Sequence, residues 1–310
     1  MDQATNLRRI IKGESAKAHK HKRGGNGGSL STMNWPKVIA ITSGKGGVGK
    51  TNVVGNLAIA CQKSGKNVLI FDADLGLANI DIIYGLNPKY NIDDVIKGDK
   101  ELSQIIVTGP EGVAIIPASS GVHELAHLTE GHKINLLNEF DILNNMFDIL
   151  LIDTGAGISS NVIYFNLAAQ ERIIIATPEP TSITDAYALM KVMFSQHGTK
   201  QFFLLVNMVR DENEAISVYQ NLSRVVARFM VGVSMEYAGF IPWDIRLQEA
   251  VSRREPILCC YPEAPSSFGF ERLADFILKR VDRSPIDGNI QFFWKRIITS
   301  GLDGDREGRD

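Results

Sequence analysis

Short, continuously apolar runs rich in Ile and Val recur along the chain at 38–42, 68–71, 113–116, 149–152, 173–176, 202–206 and 240–241. A sheet with one wet face alternates apolar and polar positions, so uninterrupted runs predict strands buried on both faces, as in a parallel sheet. Between them lie segments of helical period such as 52–64, which stops at Gly65, and 184–197. Strands and helices in alternation predict an α/β fold, a doubly wound, mostly parallel sheet with helices on both faces. No internal repeat is found.

The pattern fails at both ends of the 310 residues, which divides the chain into a leader at 1–34, a body at 35–282 and a tail at 283–310. The leader contains the stretch GGNGGSLS at 24–31, a linker composition. Ahead of it, Ala4, Leu7 and Ile11 fall on one side of a short helix. Alone in water such a helix is marginal, so it awaits a partner that accepts it. In the tail, Ile290, Phe293, Trp294, Ile297, Ile298 and Leu302 recur at helical spacing after Pro285 and Gly288, with Lys295 and Arg296 off the stripe. The stripe suits a membrane interface, with the aromatics immersed and the cations at anionic headgroups. It equally suits folding back onto the body, and periodicity does not separate the two.

Composition narrows the class. Hydrophobic residues make up 44% and charged residues 22%, so the chain is neither collagenous nor disordered throughout. A net charge of −2 gives no global field for nucleic acid, and no direct nucleic-acid partner is expected. That total is uneven: residues 1–37 carry eight Lys and Arg against Asp2 and Glu14, a surplus of +6, and the other 273 residues therefore carry −8. Cys61, Cys259 and Cys260 make no disulfide framework, and no apolar run reaches the ~18–20 residues of a spanning helix. The expected location is cytoplasmic, with any membrane contact at the surface.

Candidate chemistry begins directly after the first strand, where Gly44, Lys45, Gly46, Gly47, Val48, Gly49, Lys50 and Thr51 satisfy G-x-x-x-x-G-K-[ST] and lead into a helix at Asn52. In this strand–loop–helix context the glycines let backbone N–H groups converge on phosphates, with the helix N-terminus behind them. Lys50 is expected on the β and γ phosphates and the Thr51 hydroxyl on Mg²⁺. Two further strands run into Asp72-Ala73-Asp74 and Asp153-Thr154-Gly155, at the sheet end where open α/β folds bind ligands. Either acid alone reads as a helix cap or turn; together, downstream of the loop, they read as a metal and water site.

The additional Lys45 in GKGGVGKT, with FDADLGLANID, LLIDTGAG and GFIPWD, resembles the deviant Walker A class of MinD/ParA ATPases over about residues 36–280. Within that class the chain is most similar to the flagellar number and placement regulators called FlhG, FleN or YlxH, which share the DADLGLAN segment and an Asp-Gln-Ala-x-x-Leu-Arg start, here Asp2, Gln3, Ala4, Leu7 and Arg8. The resemblance implies that ATP sandwiches a homodimer, with Lys45 reaching the partner's phosphates. It further implies that Asp74 orients the attacking water, Asp72 supports the Mg²⁺ shell, Asp153 is the Walker B acid and Asn207 contacts adenine. A cation present only in the dimer ties slow turnover to assembly, as in a switch. The resemblance also implies that residues 2–11 stimulate a flagellar GTPase of the signal-recognition-particle type, FlhF, with Gln3 positioning water, and that the tail attaches reversibly to the inner face of the cell membrane. C-ring switch components and a flagellar master transcription activator are further implied partners. Within the fold, a MinD-like division-site or ParA-like partition ATPase is the alternative, which the Asp2–Arg8 start disfavours; an ATP-binding scaffold with little hydrolysis is another.

His123-Glu124-Leu125-Ala126-His127 matches H-E-x-x-H but has no third ligand at a zincin spacing, so zinc chemistry is not expected. The adjacent Cys259 and Cys260 do not have the spacing of an iron–sulfur scaffold, and Cys61 shares a helix face with Val54, Leu57 and Ala58 as a core residue.

Overall fold

A computed structural model of the chain describes residues 36–74, 80–117, 139–140, 143 and 146–281. The leader motif, the H-E-x-x-H segment and the tail stripe lie outside them. In chain order the elements are β1 (Lys37–Ser43), α1 (Lys50–Lys63), β2 (Val68–Ala73), α2 (Ile80–Ile83), α3 (Ile92–Ile96), α4 (Leu102–Ile105), β3 (Val107–Thr108), a 3₁₀ turn (Pro110–Gly112), β4 (Ala114–Ile116), β5 (Ile149–Ala156), α5 (Ser160–Ala168), β6 (Glu171–Ala176), α6 (Pro180–His197), β7 (Gln201–Val209), α7 (Glu212–Phe229), β8 (Ser234–Pro242), α8 (Ile245–Arg253), α9 (Ile257–Cys260) and α10 (Pro265–Val281).

Eight strands form one sheet in the order β3-β4-β2-β5-β1-β6-β7-β8, parallel except for β3, which pairs antiparallel with β4. The chain leaves β1 for β2 on one side and returns through β5 to continue into β6 on the other, so the direction of winding reverses around β1 and opens a crevice at the strand C-termini. Alternate residues of the buried strands feed opposite layers. Ile39 and Ile41 pack with Leu57 of α1 and with Phe270 and Ile277 of α10. Val38 and Ala40 face the other side, where Phe71 meets Phe165 of α5 edge to face at 5.8 Å. Beyond them α6 and α7 cover β6 and β7. With both faces covered the strands read as solid apolar runs, and six of the seven predicted strands follow them closely.

The run at 240–241 underestimates β8, which begins at Ser234. As an edge strand, β8 is polar on part of its length and shifts register against β7 between Leu204 and Leu205, and such a bulge blunts an edge against further pairing. The two-residue β3 is too short to leave a pattern.

Candidate nucleotide site

Residues 44–51 of the loop cross from β1 to α1, which opens at Lys50. Gly49 takes φ 83°, the left-handed region that glycine adopts without strain, and its carbonyl accepts the first helical hydrogen bond, from Val53 N–H at 3.0 Å. Gly44 is required for a different reason: a Cβ there would stand 2.1 Å from the Asp185 carbonyl oxygen, so the loop lies directly against the backbone of α6. Ser43 closes the turn by donating its hydroxyl to the Lys45 carbonyl at 2.9 Å.

Below the loop the sheet register sets the acids side by side. Asp72 and Asp153 are partners across β2 and β5, and Asp153 also neighbours Ile41 of β1. The Lys50 ammonium, with its side chain 7% exposed, donates to Asp153 Oδ1 at 2.5 Å and stands 3.7 Å from Asp74 Oδ2. Burial pushes the Asp153 carboxyl above its ordinary range, against the pull of Lys50 and a hydrogen bond from Thr51. Its second oxygen, Oδ2, is buried without a hydrogen-bond partner. A deeply buried, unpartnered carboxylate oxygen beside a threonine hydroxyl is a hard oxygen set, which fits Mg²⁺ rather than a softer metal. Among the described residues no cluster of three or more His, Cys, Asp or Glu is placed to hold a metal ion, so any metal here depends on phosphate and water for its remaining ligands.

Three of the expected site residues hold contacts within the chain. Asp72 is buried, and its carboxylate accepts backbone N–H bonds from Asp74 at 3.2 Å and Ile80 at 3.3 Å. It thereby holds the first residue of α2 against the end of β2. Asn207 is also buried: Nδ2 donates to the Val48 carbonyl at 2.7 Å and Oδ1 accepts from Met208 N–H at 2.9 Å. Both ends of the amide are used within the chain, and the residue braces the loop from below. Lys45 turns outward to the start of α6, where it donates to Glu179 Oε2 at 2.6 Å and Thr181 Oγ1 at 3.0 Å. Glu179 and Thr181 were not singled out from sequence. Their signal was Thr177-Pro178-Glu179-Pro180, a turn closing the strand beside β1, with proline in the first turn of the next helix.

The signature of the CobQ/CobB/MinD/ParA nucleotide binding domain matches residues 39–257. The chain is 40% identical to the antiactivator FleN of Pseudomonas aeruginosa over 87% of its own length and 96% of that protein. It is 33% identical to the flagellum site-determining protein YlxH of Helicobacter pylori over 84% of this chain and 90% of the relative. Among solved structures, the septum site-determining protein MinD complexed with Mg-ADP from Pyrococcus horikoshii superposes with a TM-score of 0.63 at 26% identity, covering 81% of this chain and all of that one.

Proposed function

Because the chain belongs to the CobQ/CobB/MinD/ParA family of nucleotide-binding ATPases, we propose that it is an ATP-driven switch that dimerises, associates reversibly with the inner face of the cell membrane, and regulates flagellar number and placement. The flagellar part is supported by the likeness to FleN and YlxH across most of the chain. In this reading residues 35–282 are the ATPase body, and the leader stimulates an FlhF-type GTPase through Asp2, Gln3, Ala4, Leu7 and Arg8. Ile290, Phe293, Trp294, Ile297 and Ile298 carry the membrane contact; among the described residues no helix is long and apolar enough to cross a membrane.

The observation that carries the reading is the buried Lys50–Asp153 pair beside the unpartnered Oδ2 and Asp74. When ATP binds, its phosphates attract the Lys50 ammonium away from Asp153, and loop N–H groups from 44 to 51 take the phosphate oxygens. Asp153 and the Thr51 hydroxyl would then hold Mg²⁺, which when bound would supply Lewis-acid stabilisation of phosphate charge. Asp74, at the mouth of the site and next to Lys50, orients the attacking water. Lys45 leaves Glu179 and Thr181 to reach the partner's nucleotide, so turnover requires the dimer. Asp74→Ala tests this: hydrolysis should collapse while ATP-induced dimerisation, read by light scattering, persists. Loss of dimerisation, or retained hydrolysis, refutes the assignment.

A further inference from the structure

The end of the sheet opposite the nucleotide crevice carries a surface that the ATPase cycle does not use. Strand register defines it: Ile39 pairs with Glu171, Ile173 with Phe203 and Gln201 with Ser234, so the starts of β1, β6, β7 and β8 share one edge. The C-terminal end of α7 projects here, with Phe229 60% exposed, Val231 83% exposed and Val225 also exposed. The Arg228 guanidinium lies 5.2 Å from the Phe229 ring centre, and Arg224 and Lys200 are exposed at the same end. From 215 to 235 the sequence contains no Asp or Glu, in a chain whose residues after 37 sum to −8.

Among the described residues at this edge, Glu171 and Glu236 are paired with cations, and Asp148 beside Lys37 accepts the Asn67 N–H at 2.7 Å. Glu171 binds the Lys37 ammonium at 2.7 Å, and Glu236 takes Arg280 at 2.7 Å, with Arg280 Nε 3.9 Å from Glu171. The same cluster marks where the body joins its two outer segments. Lys37 begins β1 directly after the leader, and Arg280 stands one residue before the end of α10, from which the tail continues.

We propose that this end of the body, Phe229 and Val231 with Arg224, Arg228 and Lys200, is a docking surface for an anionic lipid membrane. The proposal rests on the membrane reading above and adds a contact made by the folded body. Exposed apolar side chains with Arg224, Arg228 and Lys200 at the same end, in a 215–235 stretch without Asp or Glu, match a headgroup region over an apolar interior. The patch and the origin of the tail lie on one edge, so both can meet one plane, and the nucleotide crevice at the opposite strand ends then faces the cytoplasm.

The test is sedimentation of the full chain, with ATP and Mg²⁺, on vesicles of phosphatidylglycerol and phosphatidylethanolamine and on neutral phosphatidylcholine vesicles. Phe229→Ser with Val231→Ser should lower anionic-vesicle affinity by about tenfold, the loss of part of one Phe and one Val transfer. Arg224→Gln with Arg228→Gln should do so at low salt and leave a smaller effect at high salt. Phe268→Ser, an equally simple loss of an exposed aromatic at the start of α10 by the other end of the sheet, should leave binding unchanged. Retained ATP hydrolysis without vesicles shows that the variants are folded. If the unaltered chain binds no vesicles, the membrane reading and this proposal fall together. If it binds and the Phe229/Val231 variant binds equally well, the docking surface alone is refuted. Tighter binding by that variant would refute it by identifying the chain's own tail as the occupant, and weakened dimerisation without vesicles would refute it in favour of a second copy.

Discussion

Asp153→Asn removes the counter-charge of Lys50 while keeping the size of the side chain. The pair is 2.5 Å apart, with Asp153 fully buried and Lys50 7% exposed. Breaking such a pair on one side costs ~3–5 kcal/mol because a charge stays buried without compensation. Asp74 Oδ2, 3.7 Å from the ammonium, remains and absorbs part of the loss, so the lower end, about 3 kcal/mol, is expected. For a body of this size that is a fall in melting temperature of about 6–12 °C. Urea unfolding followed by circular dichroism, without nucleotide and with chelator, gives the number, provided the denaturant slope is unchanged. Two further results must accompany it. ATP without Mg²⁺ should stabilise the variant more than the unaltered chain, since Lys50 no longer has to leave an acid to meet phosphate. Lys50→Met combined with Asp153→Asn should be less destabilising than the sum of the single changes by about 1–3 kcal/mol. Additivity within about 0.5 kcal/mol would refute the claim that the two charges are a coupled pair.

Gly44→Ala should destabilise the fold by about 1–3 kcal/mol and weaken ATP binding measured by calorimetry, because the added methyl meets the Asp185 carbonyl on α6 and neither backbone can yield cheaply. Asn207→Ala leaves the Val48 carbonyl without its donor and should weaken ATP binding by about 1–3 kcal/mol with little change in bound-state turnover; a fall in turnover at saturating ATP instead would place Asn207 among the groups that act on the transition state. Burial pushes the Cys61 thiol up to about 12, whereas in the unfolded chain it ionises near 9. Between those values the unfolded state binds fewer protons, so this group's contribution to stability falls as pH rises, and the stability gap between the unaltered chain and Cys61→Ala should shrink by about 2 kcal/mol from pH 8 to 10.5. A gap independent of pH would mean that the thiol is not protected.

The strands were legible because burial on both faces leaves little room for polar residues, and the phosphate loop because its glycines are demanded by geometry that few other sequences meet. The position of Asp153 after an apolar run was legible, but its pairing with Lys50 was not among the expectations, although an acid on the strand next to β1 stands within reach of the loop lysine. The direction in which a long or forked side chain turns was not legible. The outward contact of Lys45 with Glu179 and Thr181 is made by residues 134 and 136 positions away. Asn207 follows an apolar run as expected, yet it lies inside β7, where a register shift against β8 between Asn207 and Val209 accompanies φ 59° at Met208, and its amide donates to Val48. Edge strand β8 was half hidden because only one of its neighbours demands an apolar partner.

These placements also locate where a nucleotide-driven change would meet resistance. The Lys45–Glu179 contact is largely exposed, with side chains 37% and 64% accessible, and pairs of that kind contribute ~0–1 kcal/mol. In the proposed dimer, moving Lys45 toward a partner's phosphates would therefore cost little. Asp72 is a stronger candidate for the coupling element. It is buried, it accepts the N–H groups of Asp74 and Ile80, and it is the register partner of Asp153. On the proposed reading, a phosphate that draws Lys50 off Asp153 would change the charge next to Asp72 and next to Asp74 in the same step. On that reading, the resistance to the change sits in the buried Lys50–Asp153 pair and in the N–H bonds that Asp72 accepts, not at Lys45.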